Sequence, residues 1–372
     1  MRRRLPPLLV LLVVLAGCAG VPTYTSQDLA ILPCETDIPR FFQPLEFNLD
    51  GTVLFADQQA AVERRVREQQ PRDIVVFIHG WNKTAYVAER EYQDFLCRFH
   101  ARLREAEGAA AVEPDRLLII GVFWRSTLAS NSPDPLLAKW ITYFPVRERA
   151  DLLARTGFTD MMQDLTKVLG ERRPDKAKPK LHLVGHSFGG RVIVNGMRNF
   201  IHLGTPAHDL MRRVDRLNMV LLNAAVGPED FKPVEAVALR EPIDQKERGE
   251  LLSAVQAQAG GKVSAATTTK IYAGYTFNVY SGHDLANRWL FPIGALLTDD
   301  EARCAIGACP VEGYETINVT PTGRLAEPPN PAALAPGRAA AWNVNADQVI
   351  FDHSDIYKGR VATLLFELTL KR

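Results

Sequence analysis

The sequence lacks an excess of charge of either sign: 44 Lys and Arg stand against 43 Asp and Glu, a net charge of +1. That balance excludes the basic footprint by which a protein holds a polyanion, so no nucleic-acid partner is expected. Cysteine is scarce, at 5 in 372 residues, and no histidine lies near Cys304 or Cys309. His100 near Cys97 makes one pair, which is not a ligand set, and neither a metal nor an organic cofactor is implied. Internal repeats are lacking as well. What the chain does have is 372 residues, 47% of them apolar, ample for a buried core in one large or two ordinary domains.

The chain centres on Leu181-His182-Leu183-Val184-Gly185-His186-Ser187-Phe188-Gly189-Gly190. A short apolar run meets Gly-x-Ser-x-Gly and passes into the helical spacing of Val192, Ile193, Met197, Phe200 and Ile201. A serine between a buried strand and a helix sits on a sharp turn, where Gly185 and Gly189 remove side chains that would clash. The helix entered at Phe188 aims its free N–H groups and positive dipole end at charge forming beside that serine.

With these residues the chain resembles the α/β-hydrolase superfamily, whose nucleophile elbow reads as Gly185-His186-Ser187-Phe188-Gly189 does here. The resemblance implies an α/β-hydrolase fold, a mostly parallel sheet with helices on both faces. Asp73 to Ile78 is a continuous apolar run of the kind a buried parallel strand shows, and it ends in His79-Gly80-Trp81-Asn82. That segment is similar to the family's oxyanion-hole motif: Gly80 permits a tight turn, and the Trp81 and Phe188 N–H groups would converge on one oxygen. His79 precedes the serine, so the resemblance gives it an orienting role. His186 falls inside the elbow as a supporting residue.

The first residues form a separate segment. Arg2-Arg3-Arg4, the apolar run Leu8 to Leu15 and Ala16-Gly17 read as an export signal over residues 1–17, too short to span a bilayer. Leu15-Ala16-Gly17-Cys18 resembles the bacterial lipobox, which implies lipidation of Cys18, a tether over residues 18–39 and the hydrolase domain over 40–372. Two or more acyl chains on Cys18 would anchor the protein stably to a membrane. Ala19 in place of aspartate points to the outer membrane, facing the periplasm. Oligomeric state is not legible. Setting Cys18 aside, Cys34, Cys97, Cys304 and Cys309 are an even number in an oxidising compartment. Cys304 with Cys309 would leave Cys34 with Cys97, although three pairings are open.

Further along, the patterning predicts short strands over Arg40 to Phe55 with a turn at Leu49-Asp50-Gly51, and helices over Asp57 to Gln69 and Thr84 to Glu107. A strand over Asp115 to Trp124 precedes an apolar stretch, Arg125 to Val146, that either lines an acyl pocket, caps the site or packs on the body. One helix is expected over Arg147 to Leu169, strands over Leu217 to Ala224 and Tyr275 to Tyr280, and a mobile run over Gly260 to Thr269. Thr316 to Thr320 reads as the last strand and Gly359 to Leu370 as the C-terminal helix.

An activated serine needs a base and an acid that orients the base, and the family carries them in the order Ser, Asp or Glu, His. Asp284 ends a strand-like run at Ser281-Gly282-His283-Asp284, where the family has its acid; it also suits a helix N-cap. Of His202, His208, His283 and His353, only His353 lies on a loop between the last strand and the C-terminal helix. Asp352 and Asp355 are rival orienters. The resemblance is strongest to a group of bacterial α/β-hydrolases, from which the chain departs by Arg125 where that group would carry proline. It implies a serine hydrolase of a carboxylic ester, small-molecule or lipid, with Ser187, Asp284 and His353 as catalytic residues. A thioesterase or amidase would use the same triad, and a non-catalytic envelope or binding lipoprotein on this scaffold is the alternative.

Overall fold

Eight apolar segments pair into one sheet, and their side chains alternate between two cores. The computed structural model describes residues 38–81, 85–127, 136–231, 274–291, 304–330 and 340–371. Residues 1–17, expected as an export signal, with Cys18, Cys34 and the run Gly260 to Thr269, lie outside the described residues. The strands are β1 (Phe42–Phe47), β2 (Asp73–Ile78), β3 (Leu117–Trp124), β4 (Lys180–His186), β5 (Arg216–Leu222), β6 (Tyr275–Tyr280), β7 (Thr316–Asn318) and β8 (Ala341–Asn345). They stand in the order β1-β3-β2-β4-β5-β6-β8-β7, and every pairing is parallel.

The longer helices are α1 (Ala56–Gln69), α2 (Ala85–Glu107), α3 (Leu136–Arg155), α4 (Gly157–Leu169), α5 (Phe188–His202), α6 (Thr205–Arg213) and α7 (Gly359–Thr369). Ile74, Val76 and Ile78 of β2 pack with α1, α3, α4, α5 and α6 on one face. Val75 and Phe77 pack with α2 and α7 on the other. Burial on both faces is why these strands read as unbroken apolar runs, each large side chain adding about 1.5–3 kcal/mol. Among the described residues no helix is long and apolar enough to cross a membrane.

Three local expectations need correction or refinement. Thr316 to Thr320 is not the last strand, because β8 follows it and inserts between β6 and β7. Trp342 and Val344 of β8 enter the core, but Asn343 obscures the pattern. Its buried amide is satisfied by loop backbone, accepting from Val311 N–H at 2.8 Å and donating to the Val311 carbonyl at 2.9 Å. The helix expected over Arg147 to Leu169 breaks at Thr156, where a side chain on Gly157 would collide with the Gly51 carbonyl and the Phe47 ring. The chain around Leu49-Asp50-Gly51 does turn back, with Phe47 and Val53 bridged antiparallel, but β1 is the one strand there.

Candidate active site

The end of β4 and the start of α5 are forced together by Ser187, whose backbone sits at φ 54°, ψ −121°. A non-glycine residue pays for this region with about 1–3 kcal/mol, so the surroundings must hold it. They do: Ser187 N–H donates to the Leu222 carbonyl at 3.0 Å, and its carbonyl accepts from Ala225 N–H at 3.1 Å. A Cβ on Gly185 would lie 2.6 Å from the Gly189 carbonyl oxygen, and one on Gly189 would strike the Ile78 carbonyl. Both glycines are therefore required by close approach of backbone to backbone.

His353 comes from the loop between β8 and α7, and Asp284 from the loop after β6. The imidazole Nε2 lies 2.8 Å from Ser187 Oγ and Nδ1 lies 2.7 Å from Asp284 Oδ2. Asp284 is fully buried and Ser187 is 2% exposed, so the contacts are sheltered from water. A carboxylate accepts only, so His353 carries its proton on Nδ1 and presents the Nε2 lone pair to the serine hydroxyl. Three residues far apart in sequence form one hydrogen-bonded chain.

Asp284 also has the capping role, since its Oδ1 accepts Asn287 N–H at 3.0 Å. The two readings of this residue are compatible because the two oxygens do different work. The rival acids are engaged elsewhere: Asp352 accepts from Ser354 N–H, and Asp355 from Phe351 N–H and Lys358 Nζ. His186, buried beneath the site, donates from Nε2 to the His353 carbonyl at 2.9 Å and so grips the loop that carries the imidazole. Its ring lies 4.8 Å from that of His353.

The His79-Gly80-Trp81 segment lies against the serine, since a Cβ on Gly80 would be 2.7 Å from Ser187 Cβ. His79 is buried; its Nε2 accepts Trp124 N–H at 3.2 Å. That fixes the proton on Nδ1, which donates to the Gly80 carbonyl at 2.9 Å. The Gly80 carbonyl and the Trp81 N–H belong to one planar trans peptide and point in opposite directions. Holding the first aims the second. The Trp81 ring meets Phe188 at 6.1 Å and Tyr143 at 6.0 Å, edge to face, which gives the site an aromatic wall. Tyr143 comes from the stretch expected to line a pocket or cap; the side chains of Leu136, Leu137, Trp140 and Ile141 lie outside the described ones.

Sequence reasoning missed the residues that fasten these loops. Ser281 Oγ donates to the Ile350 carbonyl at 2.7 Å, and Asp347 Oδ1 accepts Gly282 N–H at 2.7 Å, tying the Asp284 loop to the His353 loop. Cys304 and Cys309, a pair the sequence did offer, are disulfide-bonded. Their loop bonds to Ala224 and Val226 beyond β5 and to Ser281 beyond β6. Asn287 was the other omission; its only sequence signal was its place three residues after Asp284.

A cleft of about 450 Å³ lies between α1 and α4, lined by Leu45, Val62, Ile120 and Met161. None of its lining residues belongs to the Ser187 constellation, so it is not the reaction site. Among the described residues no group of three or more His, Cys, Asp or Glu side chains is arranged to hold a metal ion. A family model described as the alpha/beta hydrolase family matches residues 75–355 of the chain. No curated protein matches it.

Proposed function

Because the chain belongs to the alpha/beta hydrolase family, we propose that this hydrolase cleaves a carboxylic ester by nucleophilic catalysis at Ser187. The observation that carries the reading is the hydrogen-bonded chain from Ser187 Oγ through His353 to Asp284. In this mechanism His353 Nε2 takes the hydroxyl proton as Oγ bonds to the carbonyl carbon, and the carbonyl oxygen becomes an anion. The Trp81 and Phe188 N–H groups donate to that oxyanion, helped by the positive end of α5. His353 then returns the proton to the departing alcohol, which leaves an acyl-serine. Water repeats the sequence and releases the acid. Asp284 stays ionised and holds the imidazole.

The aromatic wall of Trp81, Tyr143 and Phe188 supports a hydrophobic acyl group. The reading extends to a lipid-anchored protein at an outer membrane, which rests on Leu15-Ala16-Gly17-Cys18 and Ala19. Replacing Ser187 with Ala is expected to abolish covalent labelling by a fluorophosphonate while the melting temperature holds; labelling that persists would overturn the assignment. A series of p-nitrophenyl esters of increasing chain length, run beside a thioester and an anilide, reports acyl preference and leaving-group class. Release of Cys18→Ser into the soluble fraction tests the anchor.

A further inference from the structure

Asp284 sits on a loop, yet a side-chain carboxylate that orients a base must be held to within a fraction of an ångström. Its oxygens have three partners. Oδ1 accepts Asn287 N–H at 3.0 Å, Oδ2 accepts His353 Nδ1 at 2.7 Å, and Oδ2 also accepts Asn287 Nδ2 at 2.9 Å. The Asn287 side chain is buried at 3% exposure, and its Nδ2 donates its second hydrogen to the Asn223 carbonyl at 2.5 Å.

Asn223 is the first residue beyond β5, and the preceding Leu222 carbonyl receives the Ser187 N–H. The bonds therefore run in a ring: from Ser187 Oγ to His353, to Asp284, to Asn287, to Asn223, and through one peptide to Leu222 and the backbone of Ser187. Asn287 closes that ring, joining the acid to the strand that also holds the nucleophile. Only a primary amide of this length offers two hydrogens to these two acceptors; an aspartate has the shape and neither hydrogen.

We infer that Asn287 is a positioning residue for the reaction, fixing Asp284 and drawing charge from the oxygen that faces the imidazole. The inference rests on the triad proposed above. Two consequences follow from its chemistry. Loss of the Nδ2 donor frees the carboxylate to tilt, which lowers kcat. It also concentrates negative charge on Oδ2, which favours the imidazolium and moves the acid limb of the kcat/KM pH profile to higher pH.

The test compares Asn287→Ala and Asn287→Asp with wild type on a p-nitrophenyl ester, with rates normalised to sites titrated by fluorophosphonate so that misfolded protein drops out. For Ala, kcat per site is expected to fall about 10- to 100-fold with KM little changed, the loss of one hydrogen bond to a charged group. For Asp, nearly identical in shape, the acid limb is expected to move further up than for Ala, because a second carboxylate faces the first. A residue that merely filled space would leave Asp like wild type, and that result overturns the proposal. If neither variant yields titratable sites, the wild-type Asn287 side-chain amide resonance must follow the titration of His353; an amide indifferent to it overturns the proposal equally. Wild-type labelling that survives Ser187→Ala would instead sink the triad itself.

Discussion

Replacing Asp284 with asparagine changes the chemistry of the acid and leaves its outline intact. The new amide must put its NH2 at one of two places. At the Oδ1 place it would meet the backbone N–H of Asn287, now 3.0 Å away, a donor that has no alternative tautomer or rotamer. Two donors facing each other in a fully buried site would each lose a partner, at about 1–3 kcal/mol apiece. At the Oδ2 place the NH2 faces His353 Nδ1, which can give up its proton, and Asn287 Nδ2, which keeps its second acceptor, the Asn223 carbonyl. The second arrangement wins, because His353 can change tautomer and Asn287 Nδ2 retains a partner, whereas the backbone N–H at the Oδ1 place would lose its acceptor. His353 then carries its proton on Nε2, the nitrogen 2.8 Å from Ser187 Oγ, and has no lone pair with which to take the hydroxyl proton. The expected fall in kcat is about 10⁴-fold, or about 5 kcal/mol of transition-state stabilisation, the scale on which a wrong tautomer disables a serine hydrolase. The assay is steady-state hydrolysis of a p-nitrophenyl ester together with the second-order rate of fluorophosphonate labelling, with thermal denaturation as the control for folding. A variant that melts like wild type and keeps kcat within about tenfold would show that Asp284 does not orient the base.

Three further outcomes are expected. His79→Ala removes the grip on the Gly80 carbonyl; kcat should fall about 10²-fold or more with KM nearly constant, as when one oxyanion donor is lost, and a wild-type kcat would dismiss the peptide-aiming role. Cys304→Ser with Cys309→Ser opens the small loop pinned to Ala224, Val226 and Ser281; denaturant unfolding should show a loss of about 2 kcal/mol, and kcat should fall with it, whereas unchanged values in both would refute the clamp. Stability should decline with acid in two windows. Burial holds His182 below its ordinary value of 6.5 despite Asp73, and Asn218 Nδ2 donates to its Nδ1, so the folded state refuses a proton that the unfolded state accepts. That contribution is present above about pH 6.5 and fades as pH falls below it, with a slope of up to about 1.4 kcal/mol per unit. Burial would raise Asp73, but its bond to His182 and the charges of His182, Arg116 and Lys180 bring it below 3.8, so its share is lost only as pH falls further, through the lowered folded value. In urea titrations His182→Gln should flatten the first window and also weaken the second, since His182 is among the groups that lower Asp73; an unaltered profile would refute the assignment.

The turn that carries Ser187 was legible in the sequence because its constraints are local. A strand, a left-handed turn and a helix succeed one another within a dozen residues, and the glycines that permit the turn flank Ser187 directly. Gly80 and His79 were legible for the same reason, as the end of a single buried strand. The parallel sheet followed from apolar runs that alternate with amphipathic ones. Ala341 to Asn345 escaped because Asn343 breaks the apolar pattern, and its amide is satisfied by partners remote in sequence, the loop backbone at Val311 and the Asn278 side chain of β6. The break at Thr156 escaped because its cause is the Gly51 turn, distant in the chain.

What the chain determined by itself was the order of its elements, the elbow, and a short list of residues able to act as acid and base. It left Asp284 divided between a cap and an acid, and Asp352 and Asp355 in contention. Tertiary structure distinguishes them by contact, because hydrogen bonds are directional over about 3 Å and the carboxylate that meets His353 is that of Asp284, which also accepts from position 287. The same geometry supplied Asn287, His186 and the Cys304–Cys309 loop with their places. Such roles are properties of distance in space between segments remote in sequence, and no local pattern of residues encodes them.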